Sequence, residues 1–172
     1  MSRPFTRERA WDYLLNLLAR QDYTVAELRA KLSRRGLEEA TTEELLARLV
    51  ELRLVSDEAY AERYVASRSG TRGRIALRRE LARRGVEEEV AAPHLGALSP
   101  EQQAEAATAL LRKNAWRYRP PEPDPDEPEE DEHARFLRLK RAEAKARAFL
   151  ARRGFDPEAS QTAIEALGWF DG

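Results

Sequence analysis

Arginine is the residue type through which this sequence could do chemistry. Seven arginines and one acidic residue lie between residues 68 and 85, and eight basic residues and one acidic residue lie between residues 135 and 153. The planar guanidinium group matches phosphate and carboxylate groups with two parallel hydrogen bonds, so such clusters are typical of a surface that binds a polyanion or an acidic protein. The candidate binding residues are Arg68, Arg72, Arg74, Arg78, Arg79, Arg83, Arg84, Arg138, Lys140, Arg141, Lys145, Arg147, Arg152 and Arg153.

A solvated helix face is the alternative interpretation for any single arginine. The arginine pairs that precede Gly36, Gly85 and Gly154 are also explained as cations at the negative end of a helix dipole. The density of the clusters argues against that interpretation, because seven like charges within 18 positions repel one another unless a partner compensates them. We therefore predict that these two basic stretches carry a functional binding surface.

The formal net charge of -1 conceals a separation of charge along the chain. Residues 120–133 read PPEPDPDEPEEDEH and contain five prolines, eight carboxylates and no basic residue. The remaining chain holds 30 basic and 23 acidic residues, which is a formal charge of +7. The acidic, proline-rich segment cannot bury enough apolar surface to offset its ordering entropy, so we predict a disordered acidic insert over residues 119–133.

Catalytic and metal-binding patterns are missing from the sequence. It has no cysteine, only His94 and His133, and none of the usual phosphate-loop, zinc-protease or serine-hydrolase motifs. We therefore expect no catalytic residue, no metal site, no cofactor and no enzymatic activity. The sequence also lacks a bilayer-length apolar run and a signal-peptide pattern, so we expect a cytoplasmic protein without a membrane segment.

A ten-residue pattern that includes an arginine pair occurs three times in the sequence. It reads LRAKLSRRGL at Leu28–Leu37, LRRELARRGV at Leu77–Val86 and ARAFLARRGF at Ala146–Phe155. The first two glycines are 49 residues apart and the last two are 69 apart, which places the acidic insert in the third copy. The pattern predicts an all-α fold, an elongated array of three tandem three-helix repeats with nine helices in all. The predicted repeats cover residues 1–54, 55–98 and 99–172.

Short local signals predict where the helices begin. Two Thr-x-x-Glu capping boxes occur, at Thr24–Glu27 and Thr41–Glu44. Ser99 and Asp156 each precede a proline at the first helical position, which is a further start signal.

The glycine of each copy predicts where the middle helix ends. A glycine in the left-handed conformation closes a helix without a steric penalty, so the middle helices should end at Arg35, Arg84 and Arg153. Apolar residues recur at equivalent positions of the copies and are predicted to form the core. They are Leu32, Leu81 and Leu150; Leu37, Val86 and Phe155; Leu46, Leu95 and Ile164; and Leu49, Leu98 and Leu167.

The order of several sequence blocks resembles the RecX family of bacterial RecA regulators. The blocks are YLLNLLARQDYTVAELRAKLSRRGL at Tyr13–Leu37, LVELRLVSDEAYAERYVASRSG at Leu49–Gly70, and GRIALRRELARRGV at Gly73–Val86. The end of the chain adds FLARRGF at Phe149–Phe155. The acidic, proline-rich insert is a departure from that family pattern.

The resemblance implies a modulator without enzymatic activity. Such a protein docks in the helical groove of a RecA nucleoprotein filament and suppresses ATP hydrolysis and strand exchange, and so acts in recombination, DNA repair and the SOS response. The expected partner is therefore the RecA filament, with single-stranded or double-stranded DNA left open as a further partner. We expect the protein to act as a monomer.

An autonomous DNA-binding transcriptional regulator is the main alternative, because it would use the same basic helices. It would also need a recognition helix with base-reading Asn, Gln or Ser side chains. Leu77–Arg84 contains only Arg, Glu, Leu and Ala. A small enzyme is a third class, but the sequence shows no site for one.

Deleting residues 120–133 tests whether the acidic insert competes for the basic surface. Its eight carboxylates are tethered close in sequence to Arg135 and the cations after it, so they should weaken polyanion binding through a salt-sensitive interaction. The deletion variant should bind RecA filaments or DNA more tightly at low salt, measured as a salt titration of affinity. Equal affinity of both chains at every salt concentration would instead identify an inert spacer.

Overall fold

The fold is all-α. The computed structural model describes residues 5–122 and 130–171, and within these it contains ten helices and no strand. One helix more than predicted is present because a single-turn helix, α8, follows α7 in the third repeat. The helices are α1 Arg7–Leu18, α2 Val25–Arg34, α3 Glu39–Glu51, α4 Asp57–Arg68, α5 Arg74–Arg83, α6 Glu88–Gly96, α7 Pro100–Lys113, α8 Ala115–Tyr118, α9 Glu132–Arg152 and α10 Pro157–Leu167.

Three of the four predicted helix starts are confirmed. The Thr24 hydroxyl accepts from the Glu27 amide at 3.1 Å, and the Glu27 carboxylate accepts from the Thr24 amide at 3.1 Å, which completes a capping box. Ser99 forms the same reciprocal pair at the start of α7, and Asp156 accepts from the Ala159 amide at the start of α10. These caps satisfy amide groups that have no partner within their own helix.

The predicted start at Thr41 is wrong. Helix α3 begins at Glu39, with Glu38 as its N-cap and no side-chain capping bond. The Thr42 amide already donates to the Glu38 carbonyl at 2.9 Å, so the first helical turn is closed before the predicted start. The Thr42 side chain is buried, and tertiary packing of this turn therefore overrides the local capping signal.

The three middle helices end at Arg34, Arg83 and Arg152, one residue before the predicted ends, and a glycine closes each of them as predicted. Gly36, Gly85 and Gly154 have φ angles of 76°, 77° and 85°, in the left-handed region that favours glycine. In each case the amide after the glycine bonds a carbonyl five residues earlier, as Val86 does to Leu81 at 3.1 Å, which is a Schellman motif. The Arg-Arg-Gly sequence that closes each middle helix is called the RRG end below.

The chain divides into two compact units, which are described separately. The first unit comprises Met1–Ala66 and Arg78–His94, and the second comprises Ser67–Leu77 and Leu95–Gly172. Helix α5 contributes to both units, so this division does not follow the sequence repeats. The repeat boundaries at 1–54, 55–98 and 99–172 stay a prediction.

The first unit has an apolar core made by α1, α2, α3 and the residues that follow them. Leu14, Leu28 and Leu49 lie in this core with no exposed surface. Leu32 and Leu46, two of the predicted core positions, are buried in it, whereas Leu37 packs at its edge and is half-buried. The apolar stripe of each helix therefore faces a common interior.

The second unit has its own core between α7, α9 and α10. Leu150, Phe155 and Ile164 are buried there, as the repeat pattern predicted. Tyr118 is also buried and its ring stacks on Phe149 with 4.6 Å between the centroids, so α8 is held on the core by this residue. The remaining predicted positions divide into Leu81, Val86 and Leu95, which are buried, and Leu98 and Leu167, which are half-buried.

Part of the predicted acidic insert is described by the structure. Residues 119–122 follow α8, and α9 begins at Glu132. Residues 123–129 lie outside the described residues, so the predicted disorder of the insert stays a prediction.

Within the first unit, the RRG end of α5 packs on the first turn of α2. The Thr24 hydroxyl donates to the Arg84 carbonyl at 2.6 Å, in addition to capping its own helix. A Cβ added to Gly85 would lie 2.2 Å from the Ala26 Cβ, which is far inside van der Waals contact. Glycine is therefore needed at this position for close approach as well as for backbone conformation.

Within the second unit, the RRG end of α9 packs on the first turn of α5. The Gly73 amide donates to the Arg153 carbonyl at 2.9 Å, and the Ile75 amide donates to the Gly154 carbonyl at 3.1 Å. A Cβ on Gly154 would lie 2.2 Å from the Ala76 Cβ. The carbonyls at the end of one helix thus satisfy the amides at the start of another.

The substitution Gly154→Ala should destabilise the protein more than Gly36→Ala does. Both place alanine at positive φ, which costs about 1 kcal/mol or somewhat more. At Gly154 the new Cβ also collides with Ala76, and overpacking of this kind adds roughly 1–3 kcal/mol, whereas at Gly36 no atom of the described part of the chain lies within 4 Å. Urea or thermal unfolding of the two variants measures the difference. Equal losses of stability would show that the close packing at Gly154 contributes nothing.

Candidate basic interfaces

The first unit contains a basic cleft between α2 and the end of α5, called the α2–α5 cleft. Its volume is about 450 Å³. Small residues from both helices, Ala30 and Ala82 among them, leave the cleft open to an approaching group. Its full lining is Tyr23, Ala26, Glu27, Ala30, Lys31, Arg34, Ala82, Arg83, Arg84 and Gly85.

The α2–α5 cleft carries an excess of positive charge. Four of its lining residues are cations and one, Glu27, is acidic. Glu27 is paired with Arg84 at 2.9 Å, and the Arg84 guanidinium also lies over the Tyr64 ring at 5.3 Å from its centroid. This fixes Arg84 and leaves the charges of Lys31, Arg34 and Arg83 to attract a phosphate or a carboxylate.

Two of these cations are well placed for an external ligand. Arg34 and Arg83 are exposed, and no hydrogen bond or ion pair to either side chain is present in the described parts of the chain. Lys31 is half-buried and its amino group lies 5.1 Å from the centroid of the Tyr23 ring. An aromatic ring beside unpaired cations is an arrangement that suits phosphates with attached bases as well as acidic protein groups.

The predicted binding residues Arg78 and Arg79, also in the first unit, differ in whether an ion pair within the chain occupies their side chains. Arg78 is paired with Glu88 at 3.1 Å, and both side chains are about half exposed. Arg79 is exposed and makes no ion pair with the residues that the structure describes. Arg79 is therefore more available to a partner than Arg78.

Three predicted arginines lie in the part of the second unit that joins α4 to α5. The Arg74 amide donates to the Gln103 side chain at 2.8 Å, and the Arg74 guanidinium donates to the Leu98 carbonyl. Arg74 is thus a structural residue that ties the start of α5 to the loop before α7. Arg68 is exposed and Arg72 is half-buried, and both also interact within the chain.

The second unit contains a larger basic cleft between α8 and α9, called the α8–α9 cleft. Its volume is about 610 Å³. Five cations and one carboxylate line it, together with apolar groups such as Leu137. The cations are Arg117, Arg119, Arg138, Arg141 and Lys145.

Ion pairs within the chain neutralise two of the five cations of the α8–α9 cleft. Arg138 is paired with Glu130 at 3.0 Å, and Arg119 is paired with Glu122 at 2.8 Å. Arg141 and Lys145 are four residues apart on one face of α9, are exposed, and have no ion-pair partner within the described chain. Arg117 is likewise exposed and without an ion-pair partner in the described chain, and its guanidinium lies 5.9 Å from the centroid of the Tyr118 ring. Arg117, Arg141 and Lys145 are therefore the available cations of the cleft.

Other predicted residues of α9 bind groups of the protein itself. Glu143 accepts from Arg147 at 2.6 Å and from Lys140 at 3.1 Å. Hydrogen bonding to Arg147 holds the pKa of Glu143 below its usual value, with a further contribution from Lys140. Arg153 lies over the Phe149 ring at 5.4 Å, whereas Arg152 is exposed.

Sequence reasoning therefore found the basic helices but not the composition of the clefts. Repeat one has no excess of positive charge in sequence, so the sequence does not single out Lys31 and Arg34. Arg117 and Arg119 lie outside both basic stretches of the sequence. Arg34 aligns with Arg83 in the ten-residue pattern, and this alignment is the sequence signal that could have pointed to Arg34.

Two further observations concern the described residues as a group. No cluster of three or more His, Cys, Asp or Glu side chains among residues 5–122 and 130–171 could hold a metal ion. None of the described helices combines the length and the apolar character that crossing a lipid bilayer requires.

The all-helical fold places the chain in a class of proteins built from tandem three-helix domains. A family model described as the first three-helix domain of RecX matches residues 10–49, and one described as the second matches residues 56–94. The protein named regulatory protein RecX of Neisseria meningitidis serogroup B is 34% identical over 160 residues, which covers 92% of this chain and 90% of that protein. The chain therefore belongs to the RecX family.

Other relatives and solved structures are similar. Regulatory protein RecX of Chromohalobacter salexigens is 36% identical, covering 92% of this chain and 91% of that one. The Amycolatopsis mediterranei protein of the same name is 42% identical, but the match spans only 62% of its length and 62% of this chain. The crystal structure of RecX from Lactobacillus salivarius superposes with a TM-score of 0.77 at 24% identity, over 94% of this chain and 96% of that one, which shows the fold. A second crystal structure, of a regulatory protein RecX, has a TM-score of 0.75 at 27% identity, over 92% and 73% of the two chains.

The substitution Glu143→Gln should destabilise the protein at neutral pH but not in acid. Because the folded-state pKa of Glu143 is lowered, its ion pairs contribute stability above the ordinary carboxyl pKa, and this contribution is lost as the pH falls through the folded-state value. The expected loss at pH 7 is about 1 kcal/mol, since the partners are partly exposed. Unfolding measured from pH 7 down to pH 3 tests this. A stability difference that persists at the acid end would rule out the ionised carboxylate as its source.

Proposed function

We propose that this protein binds the RecA nucleoprotein filament and inhibits its ATPase and strand-exchange activities, and so modulates recombination and DNA repair. Its membership of a family of regulatory proteins over nine-tenths of the chain is the observation that carries this proposal. The basic clefts in the two units supply the chemistry for it. We further propose that it acts in the cytoplasm as a monomer.

The composition of the two clefts supports a partner that offers both phosphates and carboxylates. Each cleft combines unpaired cations with apolar or aromatic groups, Tyr23 in one and Leu137 in the other. A nucleoprotein filament presents DNA phosphates next to protein side chains, so it suits such a mixed surface. Bare DNA would not use the apolar part of the α8–α9 cleft.

Inhibition would follow from preferential binding to one filament geometry. A regulator that contacts neighbouring protomers shifts the filament toward the arrangement it binds best, by no more than the difference between its affinities for the two arrangements. An ATPase site between protomers slows when that arrangement is unproductive. No catalytic group of the regulator is needed for this effect.

Replacing Arg34, Arg79 and Arg83 with alanine tests the filament proposal. All three are exposed and make no ion pair within the described chain, so their loss should leave the fold intact. Arg74 is unsuitable for this test because it donates to the Leu98 carbonyl. The triple variant should need at least about tenfold more protein to inhibit RecA ATPase, which corresponds to about 1.4 kcal/mol of lost binding.

A matched control removes the same charge elsewhere in the first unit. Arg7, Arg48 and Arg63 are exposed and paired with Glu44, Glu51 and Asp22. Their triple alanine variant should inhibit the ATPase nearly as well as the wild type. Affinity for naked single-stranded DNA is measured for both variants at the same salt concentration. If the Arg34, Arg79 and Arg83 variant loses DNA binding but keeps full ATPase inhibition, the autonomous DNA-binding alternative is favoured instead.

A further inference from the structure

The RRG end of the first repeat has the same local structure as the other two but a different environment. All three glycines have positive φ, and the amide after each one bonds a carbonyl five residues earlier. Gly85 and Gly154 are packed against Ala26 and Ala76, so closely that an added Cβ would lie 2.2 Å from the alanine. At Gly36 an added Cβ would have no atom of residues 5–122 or 130–171 within 4 Å.

The residues on either side of Gly36 show the same difference. Val86 and Phe155, which follow the two packed glycines, are 4% and 2% exposed, whereas Leu37 is only half-buried. The carbonyls of Arg84 and Arg153 each accept a hydrogen bond from the first residue of the packed helix turn. The Arg35 carbonyl accepts none from residues 5–122 or 130–171.

The arginines of this end are arranged so that one of them is available. The Arg35 guanidinium lies 4.1 Å from the centroid of the Tyr13 ring and 5.3 Å from that of Phe5. Arg34 is exposed and has no ion-pair partner in the described chain. At the equivalent end of α5, Arg84 is paired with Glu27 in the first turn of the helix on which it packs.

At each of the two internal junctions, the RRG end of one helix packs on the first turn of another helix, which we call the receiving turn. The repeat pattern of the chain does not supply a third receiving turn. In the first two repeats the receiving turns begin at Thr24 and Gly73. The third copy of the pattern lies 69 residues after the second, so its equivalent position is Ala142, which lies inside α9. A second copy of this chain therefore offers no such turn in its third repeat, and its turns at Thr24 and Gly73 already receive the ends of α5 and α9.

We propose that Arg34–Gly36 is a docking site for the first turn of a helix in a partner protein. The internal junctions define the chemistry of that turn: an N-cap residue that donates to the Arg35 carbonyl, and a glycine or alanine against Gly36. A carboxylate in the same turn would pair with Arg34. The positive end of the partner's helix dipole would meet the negative end of α2. This inference rests on the proposed function, since it takes the protein component of the RecA filament as the partner.

The substitution Gly36→Asn tests the docking site. Asparagine tolerates the left-handed conformation, so α2 can still end as before, but its side chain would fill the space that the partner's small residue needs. Gly168→Asn is the matched control, because Gly168 also ends a helix at positive φ, at 60°, and Asp171, at 3.5 Å, is the only described residue that an added Cβ would contact. Affinity for RecA filaments on single-stranded DNA should fall at least about tenfold for Gly36→Asn and change less than about twofold for Gly168→Asn.

A labelling measurement does not depend on how the glycine variants fold. The chain has no cysteine, so Ser33→Cys introduces a single thiol on the exposed face of α2, one turn before Gly36. Its alkylation by maleimide, followed by mass spectrometry of this chain, should slow at least about fivefold when filaments are added. The control substitution Ala166→Cys, at an exposed position of α10, should give a thiol that is alkylated at an unchanged rate.

The outcomes separate the two proposals. If the wild type binds filaments and Gly36→Asn binds them equally well, with Ser33→Cys unprotected, the docking site is wrong and the proposed function stands. If the wild type does not bind filaments, the proposed function fails and this inference fails with it. If sedimentation shows that the wild type self-associates and Gly36→Asn does not, the occupant is a second copy and the partner proposal is overturned.

Discussion

Hydrogen bonds between the end of one helix and the start of another hold each unit of this protein together. The carbonyl of Arg84 accepts from Thr24, and the carbonyls of Arg153 and Gly154 accept from the first amides of α5. Helix ends carry backbone groups without partners inside the helix, and burying them unpaired is costly. Joining a C-terminus to an N-terminus satisfies both sets of groups at once. The contact requires glycine in the RRG end, because any side chain there would separate the two backbones.

The same junction creates the charge of the α2–α5 cleft. Packing α2 against the end of α5 places Lys31 and Arg34 beside Arg83 and Arg84. Glu27 neutralises one of these cations and also caps α2, so it serves the fold and limits the charge in one position. A mutation that loosens the junction should therefore disperse the cleft even if every cation remains.

The sequence predicts features that depend on a few neighbouring residues. It does not predict features that depend on how the helices pack against one another. The caps at Thr24 and Ser99 and the left-handed glycines depend on local backbone chemistry, which a short motif specifies. The start at Thr41 was misplaced because burial of Thr42 decided where α3 begins. Among the predicted binding residues, Arg74 and Arg147 bind groups of the protein itself, which the sequence does not reveal because it gives a charge but not its partner. The cleft residues Lys31 and Arg117 become recognisable only when the helices that carry them are packed.

The bond between Thr24 and Arg84 has a consequence for how the chain is made. Its two residues are 60 positions apart, so during synthesis the first turn of α2 lacks this partner until most of the second repeat has emerged. In the same way, the amides at the start of α5 lack their partners until Arg153 and Gly154, about 80 residues further along the chain, have been synthesised. Repeats one and two are thus each completed by the repeat synthesised after them, and contacts of such sequence separation form late in folding. A chain cut short within the third repeat would leave the amides at the start of α5 without the carbonyls that normally accept from them.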